Sequence, residues 1–156
     1  MTILPAIALG CVAIAVLLDL LAAVSPGWTV IGEYSSGTMY ECLAGGSCSS
    51  ITPTAPTVLT AIFTFGALIP LGVGLTCMVF GMKNKEKSKY TIGSVFAFIA
   101  ALILIIGLAI YGISTIVHAT TYGYSFYIGW AAVILGGIGG GLGLVHSLRS
   151  SSSSSF

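Results

Sequence analysis

Cys42 and Cys48, separated by Leu43-Ala44-Gly45-Gly46-Ser47, are the side chains of this sequence best placed to react with each other. The reaction is oxidation to a disulfide. A three-residue turn over Ala44-Gly45-Gly46, with Gly46 in the left-handed region, sets Cys42 opposite Cys48 on neighbouring strands. Opposed cysteines in an antiparallel pair lie within disulfide reach. Closing so short a loop is worth about 2–2.5 kcal/mol by chain entropy. The bland reading is two free thiols, which an oxidising compartment disfavours. Cys11 and Cys77 sit in apolar runs and read as packing residues, with palmitoylation as a second reading for Cys77.

The remaining reactive side chains are scattered. Asp19 is the only acid inside an apolar run, about 7–8 Å from the end of its helix at 1.5 Å per residue. An acid within a bilayer is costly, so it reads either as an ion or proton site or as one half of a buried polar pair. The expected pair is Asp19 with His118, and the structural role is preferred. His118 and His146 fall at opposite ends of spans, which excludes a metal site built on both. One intramembrane aspartate is too few for a two-aspartate protease, and no Ser/His/Asp grouping survives the layout. The chain is expected not to be an enzyme, to hold no cofactor or metal, and to bind no nucleic acid. Glu33 and Glu41 read as solvated strand residues, or as lining of a narrow passage that would favour cations.

The elements that must position these residues follow from composition. Only 6 % of residues are charged and the mean hydropathy is +1.09, against about one-quarter charged residues in soluble domains. Four runs, 3–24, 58–80, 92–117 and 126–145, reach the roughly 20 apolar residues a spanning helix needs. The first run lacks a basic leader and exceeds the usual apolar length of a signal peptide. Lys83, Lys85, Lys87 and Lys89 crowd the loop between the second and third runs. By the positive-inside bias that loop is cytoplasmic, and both termini with it. The expected plan is a membrane all-α four-helix bundle, residues 1–146 as a single domain, with a small extracellular antiparallel β-sheet. Its outer segments are 27–56 and 118–125, and 147–156 is a disordered cytoplasmic tail.

Within the first outer segment, β-prone runs on either side of Ser35-Ser36-Gly37 predict a hairpin turning there. Pro70 predicts a kink in the second span. In the fourth, Gly136 and Gly140, Gly137 and Gly141, and Gly139 and Gly143 are three overlapping small-xxx-small pairs. They predict close packing inside the bundle, with contact between protomers as the alternative.

Taken together the chain resembles the claudin superfamily, which includes the claudins, the peripheral-myelin and epithelial membrane proteins, and the gamma subunits of calcium channels. That family carries a Trp after its first span, then Gly-Leu-Trp, two residues, a Cys, and a second Cys. Trp28 matches the first Trp. Gly37-Thr38-Met39-Tyr40-Glu41-Cys42 keeps the Gly-to-Cys spacing, with Thr38 and Met39 in place of Leu and Trp, and Cys48 matches the second cysteine. Gly81-Met82-Lys83-Asn84 is similar to the segment after the family's second span. Tyr127-Ile128-Gly129-Trp130-Ala131-Ala132 is similar to the start of its fourth, and Tyr122 to Phe126 to the region before it.

The resemblance implies a left-handed bundle, a disulfide-pinned outer sheet, and residence at plasma-membrane cell junctions. It implies self-association in cis and trans that forms a paracellular barrier or small-ion pore. An auxiliary, gamma-like subunit that modulates a channel or receptor is the alternative. The outer loops are shorter than in typical claudins, and the pore-charge position after the second Cys is the neutral Ser49. Ser154 and Phe156 fit the terminal pattern of a ligand for a cytoplasmic PDZ scaffold.

Overall fold

A computed structural model describes residues 3–38, 40–43, 46–50, 54–117 and 121–152. The elements follow in the order α1 (Ile3–Val24), β1 (Thr29–Ile31), β2 (Tyr34–Ser36), β3 (Tyr40–Leu43), β4 (Cys48–Ser50), α2 (Ala55–Lys83), α3 (Lys87–Val117), β5 (Thr121–Tyr122) and α4 (Tyr124–Ser152). All four helices are long and apolar enough to cross a membrane. They form a bundle in which α2 packs most extensively on α3, and α1 on α4.

The side chains are arranged for lipid rather than water. Along α1 the buried positions Ala8, Val12, Ala15, Asp19 and Ala22 recur every three or four residues, so one narrow seam faces the bundle. Those residues are mostly small. The large apolar side chains, among them Ile14, Leu17, Ile62, Ile69, Ile113 and Ile116, point outward. In a bilayer, burying a leucine between helices gains little over leaving it in hydrocarbon, so small residues that admit close backbones occupy the interface.

Three of the helices outrun the spans that hydropathy delimits. At its start α2 is extended by the Thr54 amide, which donates to the Thr57 hydroxyl at 3.0 Å, and by Pro56 in the first turn. The helix then continues through Pro70 without interruption. At its end, Glu86 N–H donates to the Gly81 carbonyl (2.9 Å) and Lys85 N–H to that of Met82 (3.4 Å). This is a Schellman closure, and the left-handed position, φ 57°, is filled by Lys85 where glycine is usual. The expected disordered tail from residue 147 is overturned for its first part, because α4 runs on to Ser152. Ser147 is buried and its hydroxyl meets that of Thr91 on α3 at 2.6 Å, and Arg149 in the last turn suits the helix dipole.

The five strands form one sheet in the order β4-β3-β2-β1-β5, and every neighbouring pair is antiparallel. The hairpin expected around Ser35-Ser36-Gly37 forms between β2 and β3, with its turn shifted to follow Ser36, where Gly37 N–H donates to the Tyr40 carbonyl at 2.8 Å. Ser35 and Ser36 lie in strand β2, and an additional tight turn falls at Gly32-Glu33, between the paired residues Ile31 and Tyr34. Gly32 takes φ +60°, the left-handed geometry of a two-residue hairpin loop, which a glycine adopts at little cost. Strand β5 has only two residues, too few to leave an alternating pattern in the sequence, and it pairs with β1 across the bundle's end.

Candidate functional site

The sheet is mounted on the bundle through the last turn of α1, whose carbonyls have no partners within the helix. Ser25 N–H takes that of Leu21 at 3.1 Å. The Trp28 indole N–H donates to Ala22 at 2.7 Å, and the Thr38 hydroxyl to Ala23 at 3.0 Å. Trp28 is fully buried, and its ring meets Tyr111 of α3 edge-on at 4.9 Å between centroids. The Tyr111 hydroxyl in turn donates to that of Thr29 in β1 at 3.4 Å. Trp28 is thus a helix cap and a core anchor together. Thr38 supplies the neighbouring cap. Sequence reasoning had no means of finding that role, because it depends on where the connection between β2 and β3 meets the helix end.

Gly37 is required at the same meeting point. A Cβ there would come within 2.7 Å of the Pro26 Cα and the Ser25 carbonyl oxygen. Gly27 and Gly123 approach each other where β1 and β5 meet the helices. Gly123 N–H donates to the Trp28 carbonyl at 2.7 Å, and Ser125 N–H to that of Gly27 at 2.9 Å. A side chain at Gly27 would run into the Tyr124 ring, whose hydroxyl accepts from Ser25 at 2.6 Å.

The disulfide forms between Cys42 and Cys48, with Cα atoms 4.1 Å apart. Leu43 N–H donates to the Ser47 carbonyl and Gly46 N–H to that of Leu43, with Gly46 at φ +84°. The turn is therefore of the type expected. It makes Cys42 and Cys48 a non-hydrogen-bonded pair, the closer of the two antiparallel pairings. In intact protein, neither cysteine should react with an impermeant maleimide until a reductant is added. Cys42→Ser should cost the sheet about 2–2.5 kcal/mol, read as faster proteolysis within 27–56. Labelling of both thiols before reduction would contradict the bond.

Beyond the disulfide the sheet exposes an apolar row. Ile31 pairs with Tyr34, and Tyr34 with Leu43, so the three project from one face in line across three strands. They are 57, 54 and 40 % exposed. Glu33 sits in the turn beside this row and Glu41 lies on the same face, so the two carboxylates border it. A shallow cavity of about 220 Å³ beside the row is lined by Glu33, Tyr34, Cys42 and Leu43 among others.

The other sequence candidates lie elsewhere. A Cβ on Gly129 would stand 2.9 Å from the Leu108 side chain of α3, and the half-buried Trp130 stands edge-on to Phe126 at 6.3 Å. Both serve the bundle. Asp19 is fully buried in the α1 seam, and among the described residues neither carboxylate oxygen has a hydrogen-bond partner. Its expected partner His118 lies outside the described residues, as do Met39, Ser154 and Phe156. Cys11 and Cys77 are free and half-buried. Among the described residues no three His, Cys, Asp or Glu side chains group as a metal site would require.

No protein-family model matches this chain, and no curated protein matches it.

Proposed function

We propose that this is a claudin-like junction protein of the plasma membrane, with both termini cytoplasmic and the sheet in the space between cells. The observation that carries the reading is the exposed row Ile31-Tyr34-Leu43 on a sheet tied to the bundle by Trp28 and Thr38 and closed by a disulfide. An apolar patch with a polar border, held on a rigid mount, suits contact with another protein. The orientation has two independent supports. A disulfide belongs to an oxidising compartment. All five Lys and Arg residues lie at the opposite end, as the positive-inside bias requires of the cytoplasmic side.

In this reading copies of the chain associate in cis and in trans, and the sheets seal the intercellular gap or line a small-ion pore bordered by Glu33 and Glu41. No bond is made or broken.

A double variant, Ile31→Glu with Leu43→Glu, separates adhesion from folding because both side chains are exposed. In cells lacking junctions, the wild-type chain should concentrate where two expressing cells touch, and the variant should spread evenly at the same surface level. Equal enrichment of both would remove the row from the contact. Uniform wild-type protein that alters the currents of a co-expressed channel would favour the gamma-like alternative.

A further inference from the structure

At the end of the bundle remote from the sheet, a cavity of about 230 Å³ opens between the start of α1, the α2–α3 turn and the last turns of α4. Its polar lining comes from Lys85, Lys87, Tyr90, His146 and Ser147, and its other lining includes Pro5 and Gly81. Tyr90 is almost wholly buried, donates to the Pro5 carbonyl at 3.3 Å, and stands edge-on to His146 at 6.0 Å. The one side-chain carboxylate at this end, Glu86, is engaged by Lys89 at 2.8 Å. Lys85 and Lys87 therefore face the cavity with no carboxylate to neutralise them among the described residues.

Lys85 carries a second signal. It occupies the left-handed position of the α2 closure, φ 57°, where glycine avoids a clash between Cβ and backbone. An amino group is kept at the cavity's edge at the expense of backbone comfort, and such strain is commonest at ligand contacts. The cavity also lies at the ends of membrane-length helices, the depth at which lipid headgroups sit.

We propose that this cavity binds the phosphate of an anionic phospholipid, with Lys85 and Lys87 as its cationic contacts and the acyl chains lying along the outer faces of the helices. A phosphate with its glycerol suits the volume, and basic pockets between helices at the membrane surface favour such headgroups. On the topology proposed above, the lipid belongs to the cytoplasmic leaflet. The site is independent of the junction reading.

The test is native mass spectrometry of the purified full chain, titrated with phosphatidic acid or phosphatidylcholine. At about fivefold per lysine, wild type should retain phosphatidic acid roughly 25-fold better than phosphatidylcholine. Lys85→Gly and Lys87→Gln should each lower that preference about fivefold. Lys83→Gln, at the same end but outside the cavity lining, should leave it unchanged. Lys85→Gly should not lower the melting temperature, which separates lost binding from lost folding. Equal losses in Lys83→Gln and Lys85→Gly would reduce the effect to diffuse surface charge and overturn the site. Equal retention of the two lipids would overturn it too. Displacement of phosphatidic acid by an equal concentration of glycerol 3-phosphate would show a soluble-anion site instead of a lipid site.

Discussion

Leucine at Gly140 should nearly abolish the yield of folded protein, while leucine at Gly141 should leave it at the wild-type level. The difference lies in what each position faces. A Cβ on Gly140 would stand 2.8 Å from the Phe98 amide nitrogen and 3.0 Å from the Ser94 carbonyl oxygen, both backbone atoms of α3 that cannot turn aside. Gly139 meets α1 in the same way, 2.8 Å from the Ala8 carbonyl oxygen. Gly137 and Gly141 have nothing within 4 Å. Of the three overlapping glycine pairs, Gly136 with Gly140 and Gly139 with Gly143 face the bundle, and Gly137 with Gly141 faces away. Overpacking a core by a few methylenes costs about 1–3 kcal/mol where side chains can adjust. Against fixed backbone on α3, α4 itself must move, so the loss for Gly140→Leu should exceed that range. Size-exclusion profiles of the two variants in detergent check it. Monodisperse Gly140→Leu at normal yield would mean that α4 does not pack on α3 through this face.

Trp28→Ala should detach the sheet from the bundle. Emptying a fully buried tryptophan site costs about 3–5 kcal/mol. The Ala22 carbonyl left without the indole N–H adds about 1–3 kcal/mol if it stays buried. Most of that loss falls on the joint between the end of α1 and β1, so helix content should persist while the sheet loosens. Rapid proteolysis within 27–56, with unchanged far-ultraviolet circular dichroism, is the expected signature. Trp28→Phe should fall between the two, since it keeps most of the apolar contact and loses the hydrogen bond. Full protection of the sheet in Trp28→Ala would contradict the anchoring role.

Hydropathy was sufficient to count and order the four helices, because each run is long and nearly free of charge. The Cys42–Cys48 pairing was legible as well from the spacing and the glycines of the turn, although the register itself came only with the structure. What the sequence hid is whatever depends on contacts between distant segments. The turn at Gly32-Glu33 resembles any other glycine in a polar stretch until the pairing of Ile31 with Tyr34 is known. Thr38 as a cap for Ala23, Tyr111 as the partner of Trp28, and the two-residue β5 all belong to that class. The helical course of 147–152 was masked by serines that are only indifferent helix formers, and it rests on a contact with Thr91 that local propensity cannot register. Asp19 was legible as unusual, and its burial without a hydrogen-bond partner among the described residues keeps it so.

The proposed role rests on sheets that bring copies of the chain together within and between membranes. Freeze-fracture imaging of contacts between cells that lack junctions and express only this chain tests it most directly. Continuous intramembrane strands at those contacts, dispersed by the Ile31→Glu and Leu43→Glu pair, are the predicted result. Scattered single particles in the wild type, despite an intact disulfide and normal surface delivery, would contradict it.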